Sequence, residues 1–423
     1  MNRILFIAPL PPPVHGSAMV SKYIKDSAKV QSVAQCDWVN LSTSRRMDEI
    51  GKGGAMKLLR FMGAYLKTLW LLLTHRYDLC YLAITCHGIG FLKDAPFVWL
   101  CKMFGCRVLI HQHNKGMSNC IDRWPYRWLI PYIYKRARGM LLSWHLYPDI
   151  AKVVKREQVV ICANGIAAEQ QVNCDGSQVN VASPRLNSAG QQVNCDDSQV
   201  NVAEQRLKDT QSQGDDSPAT PLRFTSSSAA INRSEAASLP VNLLFLSNLI
   251  PSKGVYVLLD ACRILKDKGL DFQCNFVGGE TKEIDRARFE AEVQKRGLEG
   301  MVRYEGPKYG EEKEEYWRGS DVFVFPTYYF NECFPLVILE AMQHGLPVVS
   351  TDEGAVPDMV ADGVNGFVCE RKDVSGLAVA LERLITDASL RMRMGEVGRK
   401  RYEEEFTLER FEERFAECLR RGE

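Results

Sequence analysis

The string NECFPLVILEAMQHGLPVVST, residues 331–351, carries Glu332 and Glu340 seven residues apart, with a helix expected to begin near Phe334. A loop carboxylate ahead of a helix can accept hydrogen bonds from sugar hydroxyls, and a carboxylate on the helix can clamp a ribose diol. Free amides in the first turn, those of Leu336 and Val337, can bind a diphosphate. Pro335 removes one such donor but suits a first helical turn. Taken alone, two glutamates at this spacing also fit the solvated face of an amphipathic helix; the whole string is far more specific. In the other half of the chain, VLIHQHNKG (108–116) puts His111 and His113 at a strand end, and CHG (86–88) forms a further loop. The two histidines lack further ligands of metal-binding spacing.

The elements that must hold these residues alternate. Arg3–Pro9 reads as a buried strand, followed by the loop LPPPVHGSA and a helix over Ser17–Val30. Apolar runs at 79–84, 107–111, 139–143 and 158–163 are separated by helical patterns at 54–74, 91–104, 123–137 and 147–155. A second series begins at Val241, with strands expected at 242–247, 271–277, 302–304, 322–326, 347–350 and 366–369. Helices are expected at 255–268, 282–297, 311–318, 335–343, 373–386 and 389–402. Such alternation predicts two α/β domains with parallel sheets. The amphipathic segment Leu408–Arg421 follows the last strand and is expected to cross back to the first domain. Between the halves, QQVNCDGSQVNVASPRLNSAG (170–190) is nearly duplicated at 191–211, and a Ser/Thr/Ala-rich tract follows. Two polar repeats cannot bury a core, so a disordered insertion is expected.

The string ECFPLVILEAM with GLPVVS resembles the E-x-F-G-[LI]-V-x-x-E-A-M and G-x-P-V-V pattern of glycosyltransferase family 4, the retaining GT-B enzymes. LLFLSNLIPSKGVYVLLDA (243–261) is similar to the family's V-G-R-L-x-x-x-K-G segment, with Asn248 at the arginine position. FVGGE (276–280) and STDEGAVPDMVADGVNGFVC (350–369) resemble further family segments, with Ala355 and Asp358 replacing Gly and Glu. The first glycine loop, PPVHGS (12–17), and the strand-end histidine match less tightly. The resemblance implies Lys253, Glu332 and His113 as catalytic residues. It implies donor contacts from Gly16, Asn248, Lys253, Gly278, Phe334, Leu336, Val337 and Glu340, with no metal and no cofactor. Glu332 would meet the donor sugar, Glu340 the ribose, and Lys253 the departing diphosphate. The implied fold is GT-B: two Rossmann-like doubly wound domains facing across a cleft. Residues 1–164 would bind the acceptor, 165–240 form the insertion, 241–403 bind the sugar nucleotide, and 404–423 pack back on the first domain. A sugar-nucleotide epimerase and a non-catalytic sugar-binding subunit are the alternatives; no G-x-G-x-x-G follows a predicted strand, which argues against a nicotinamide enzyme.

Length and composition agree with two or three domains of ordinary apolar content. The fourteen cysteines show no CxxC pair, which fits free thiols in a reducing compartment. No signal peptide is expected at Met1–Leu10, and Leu58–Thr74 is interrupted by Arg60 and Lys67, short of a membrane span. A cytoplasmic protein is therefore expected. The net charge of +1 hides a split: residues 1–163 hold 23 basic and 9 acidic side chains (+14), and residues 241–423 hold 25 and 34 (−9). The basic half should meet something anionic. No nucleic-acid motif is present, so a membrane surface or a polyprenyl-phosphate-linked or glycan acceptor is expected. Arg123–Arg138 (RWPYRWLIPYIYKRAR), which mixes basic and aromatic residues, is the segment expected to lie on that surface.

Overall fold

The computed structural model describes residues 2–12, 16–44, 54–168 and 240–421; the repeat, and with it the expectation of disorder, lies outside these residues. Two six-stranded parallel sheets form the frame. The first runs β2-β1-β3-β4-β5-β6, with β1 Asn2–Ala8, β2 Ala34–Asn40, β3 Leu79–Ile84, β4 Arg107–Gln112, β5 Ala137–Leu141 and β6 Val159–Ile161. The second runs β12-β11-β10-β7-β8-β9. Its strands are β7 Val241–Leu246, β8 Phe272–Val277, β9 Val302–Gly306, β10 Val322–Phe325, β11 Val348–Thr351 and β12 Gly366–Cys369. β3 (LCYLAI), β10 (VFVF) and β11 (VVST) are buried along their whole length. Helices covering both faces of a parallel sheet require such unbroken burial.

Strand order reverses at one point in each sheet. β1 lies beside β3, and β7 beside β10, although long stretches of chain separate them. Loops leaving the carboxyl ends of such neighbours diverge and leave a crevice. In the second sheet these are the loops carrying Lys253 and Glu332.

The sequence reading differs from the structure in local detail. β2 was not expected: it is an edge strand, AQCDWVN, with polar Gln35 and Asp37 interrupting its apolar residues. The expected helix over 17–30 is two helices, Gly16–Asp26 and Ala28–Val33, because Ser27 caps the second by accepting a hydrogen bond from the Val30 amide at 3.3 Å. At 147–155 there is a 3₁₀ turn, Trp144–Asp149, followed by turns rather than a helix. Asp149 is drawn out of helical use because its carboxylate accepts the amides of Gly116, Met117 and Ser118 at 3.0–3.1 Å.

The final helix, Leu408–Arg421, lies on the first sheet. Phe411, Phe415 and Leu419 are buried with Ile4, Phe6 and Tyr81. Lys29 pairs with Glu409 and Glu413 at 2.9 and 2.7 Å, and Arg414 donates to the Ala163 carbonyl at 3.1 Å.

Candidate functional site

The crevice in the second sheet is built by backbone contact between its two loops. After β7 the chain makes the 3₁₀ turn Pro251–Lys253 and reaches Gly254 at φ 92°. A side chain there would overlap the Pro326 carbonyl, so only glycine lets the lysine loop seat against the loop after β10. The Tyr328 amide then donates to the Ser252 carbonyl at 2.8 Å. This register delivers Lys253 Nζ onto the Glu332 carboxylate. The same ammonium lies 4.6 Å over the Tyr329 ring and 5.3 Å over Phe325. Two aromatic faces and a carboxylate thus surround a mostly buried ammonium.

Glu332 precedes the helix Leu336–Gln343, whose N-cap is Pro335 rather than a first-turn position. The first bond from the helix to its entry turn is from the Ile338 amide to the Pro335 carbonyl at 3.1 Å. The Leu336 and Val337 amides therefore stand at the N-terminal end, where the helix dipole favours an anion. Glu340 sits just over one turn in. Its Oε2 lies 2.6 Å from Lys313 Nζ, a lysine on the helix Glu311–Arg318. Burial, and then the charge of Glu340, raise the pKa of Tyr23 on the helix Gly16–Asp26.

Phe334, expected among the donor contacts, has its side chain buried, 6.1 Å from the Phe406 ring in edge-on contact, so its backbone is what faces the loop. An aromatic at the helix entry lowers free energy more by joining the core than by lying in a polar crevice. Gly278 stands at φ 151° where a Cβ would overlap the Ser247 carbonyl, and Asn248 accepts the Gly279 amide at 3.2 Å. The Asn248 oxygen thus holds two strand-end loops together, and its residue is exposed at the crevice rim. Gly16 opens the helix Gly16–Asp26, and nothing lies within 4 Å of where its Cβ would be.

His113 is placed in the first domain, with His111 at 4.0 Å between ring centroids. His111 is wholly buried; its Nδ1 meets the Tyr81 hydroxyl at 2.6 Å. Burial, then the neighbouring His113, depress its pKa well below the usual histidine value, which marks it as a neutral core residue. His113 and Asn114 line a cavity of about 320 Å³ at the carboxyl ends of β1, β2, β3 and β4. The next two residues run to the second domain. Lys115 pairs with the buried Glu353, and Gly116, at φ 124°, packs where a Cβ would meet Phe330. Ser143 and His145 engage Asp358, the latter at 2.9 Å.

Lys115, Glu353, Lys313 and Tyr23 were not foreseen as site residues. Lys115 lies two places after His113, and that adjacency was the available signal. Lys313 is a lone base within GEEKEEY, which reads as a solvated helix face until the fold turns it to Glu340. Among the described residues no group of three or more His, Cys, Asp or Glu could hold a metal ion.

Residues 230–401 match the family model of glycosyl transferases group 1. The group 1 segment aligns with the amylovoran biosynthesis glycosyltransferase AmsK of Erwinia amylovora at 32% identity over 154 residues, 36% of this chain and 37% of that protein. It also aligns with the D-inositol 3-phosphate glycosyltransferase of Corynebacterium jeikeium at 37% identity over 158 residues, again 36% and 37% of the two chains. The chain thus matches little more than a third of these relatives' length. Solved structures extend the likeness to both domains. Sucrose-phosphate synthase from Thermosynechococcus elongatus superposes with a TM-score of 0.66 at 18% identity over 100% of this chain and 99% of that one. Anabaena Alr3699/HepE, solved in complex with UDP, gives 0.64 at 16% identity over 99% and 100%. The fold outside the group 1 segment is therefore GT-B as well.

Proposed function

We propose that the protein is a retaining, metal-independent hexosyltransferase. It moves a sugar from a nucleoside-diphosphate sugar to a hydroxyl of a glycan or polyprenyl-phosphate-linked acceptor in surface-polysaccharide synthesis. The observation that carries this reading is the Lys253–Glu332 pair at the strand-order reversal, directly before the helix start at Leu336. Relatives named for amylovoran, capsular polysaccharide and colanic acid biosynthesis support the pathway class. The HepE complexes with UDP and UDP-glucose make uridine donors the first to test.

In this mechanism the diphosphate lies on the Leu336 and Val337 amides, and Lys253 moves from Glu332 to a phosphate oxygen. Glu332 then accepts hydrogen bonds from donor-sugar hydroxyls, and Glu340 holds the ribose. The anomeric carbon–oxygen bond to phosphate breaks as the acceptor oxygen bonds on the same face, and the leaving phosphate takes the acceptor proton. Fixed positive charge where the diphosphate gains charge lowers the barrier without a metal. No cofactor enters. NMR of the isolated product tests this: the new linkage should keep the donor's anomeric configuration. An inverted linkage, or epimerised donor formed without acceptor, would overturn it.

The same reading places the basic domain on the cytoplasmic face of a membrane. The helix Ala55–Thr74 buries Thr68, Leu71 and Leu72, yet leaves Met56, Leu59, Met62, Leu66, Trp70 and Leu73 exposed. Their spacing of three and four residues makes one continuous apolar stripe. Trp99, Trp124 and Trp128 are also exposed, and an apolar groove joins Tyr65, Trp99 and Tyr132 across three helices. So much exposed apolar surface marks an interaction face, and the surrounding charge of +14 favours anionic headgroups. No helix among the described residues is long and apolar enough to span a membrane. In flotation assays, binding to vesicles should rise with anionic lipid and weaken above about 0.3 M salt. Leu66→Glu with Trp70→Glu should abolish it. Protein that stays soluble at low salt with strongly anionic vesicles would contradict a membrane role.

A further inference from the structure

The cavity in the first domain has a chemical bias that no assigned residue explains. It lies where β1 and β3 diverge, lined by Ser17, Ser42, Thr85, Lys93, Asp94 and His113 among others. Its volume, about 320 Å³, falls within the range of small-molecule sites, about 300–1,000 Å³. Asp94, on the helix Gly88–Met103, is 3% exposed. Its Oδ2 accepts the Thr85 amide at 2.9 Å. Its Oδ1 has Lys93 Nζ at 3.3 Å but makes no hydrogen bond of good geometry. Burial pushes the Asp94 carboxyl up, against the opposing pull of Lys93 and of the backbone and side chain of Thr85. An ionised carboxylate offers about four acceptor positions, and burying it with so few donors is costly. A ligand rich in hydroxyls would supply the missing donors.

We propose that Asp94 is the acceptor-recognition residue: its Oδ1 accepts a hydrogen bond from a hydroxyl of a neutral sugar ring, with Lys93 donating to an adjacent oxygen. Lys93 is one-third exposed and free to swing aside, which opens Oδ1 to the ligand. The cavity also lies beside the donor crevice. His113 and Asn114 line it, and the next two residues, Lys115 and Gly116, contact Glu353 and Phe330 of the loops that border Glu332. A sugar held by Asp94 therefore has a short path to a donor on Glu332. This inference rests on the transferase reading above, and deepens it by assigning a residue and a ligand class to the acceptor side.

The test is saturation-transfer NMR of the full chain with free D-glucose, D-galactose, D-mannose and N-acetyl-D-glucosamine. Asp94→Asn keeps an oxygen for the Thr85 amide but loses the charge; Lys93→Met is the companion variant. Affinity for UDP, GDP, ADP and dTDP, and the melting temperature, are measured in parallel. At least one sugar should bind the wild type, with affinity at least about tenfold lower in Asp94→Asn and reduced in Lys93→Met. Nucleotide affinity and melting should be unchanged. Sugar binding that survives Asp94→Asn, or nucleotide binding with no sugar binding, would overturn the proposal while leaving the transferase reading intact. Failure of every nucleotide to bind would instead sink that reading.

Discussion

Lys253→Met should lower kcat for sugar transfer by about 100- to 1,000-fold, the usual loss when one fixed donor to a developing anion is removed. The ammonium is held in place before reaction. Its loop is set by the close approach of Gly254 to Pro326, and the ammonium itself lies over the Phe325 and Tyr329 rings. Little reorganisation is then needed as the diphosphate departs. Asn248 stands where the resemblance expects a second cation, so this crevice relies more heavily on Lys253. Methionine keeps the apolar stem but leaves the mostly buried Glu332 carboxylate without its ion-pair partner, so the melting temperature is expected to fall and is measured beside turnover. Lys253→Arg should recover part of the rate, because it restores charge with altered reach. Steady-state kinetics with melting curves decide the matter. Turnover within about threefold of wild type in Lys253→Met would remove the lysine from the mechanism.

Glu340→Ala should weaken nucleoside-diphosphate binding by about 10- to 100-fold, since hydrogen bonds to a charged group contribute about 1.5–3 kcal/mol. Turnover at saturating donor should fall much less. Lys313 lies 2.6 Å from Glu340, and removing the carboxylate leaves that half-buried ammonium without its partner. Lys313→Met separates the two effects: it frees Glu340 and should leave nucleotide affinity unchanged or stronger. Calorimetric titration of both variants checks this. Wild-type affinity in Glu340→Ala would contradict the ribose role.

The strands of the group 1 segment were legible because each is a short run of buried apolar residues bounded by turn chemistry. The final helix was legible from its period alone, since Phe411, Phe415 and Leu419 recur on one face. β2 was not, because an edge strand with Gln35 and Asp37 carries a weak alternation. Lys253 and Glu332 could be named from their surrounding strings, but their contact required knowing that β7 and β10 are neighbours. That is a property of topology. Lys115–Glu353 and Lys313–Glu340 were hidden for the same reason: each pair joins segments whose proximity no local pattern encodes. Phe334 shows the reverse limit. It lies inside the most informative string, yet its ring serves the core.

The central claim is that the crevice between the β7 and β10 loops binds a nucleoside-diphosphate sugar through Lys253, Glu332 and Glu340. Calorimetric titration of the full chain with UDP-, GDP-, ADP- and dTDP-sugars tests it most directly. One nucleotide class should bind with a dissociation constant between about 1 μM and 1 mM, the range of enzyme substrates. Binding should be lost or strongly weakened in the Lys253→Met, Glu340→Ala double variant. If no sugar nucleotide binds, or if the double variant binds as tightly as wild type, the site is elsewhere and the account is wrong.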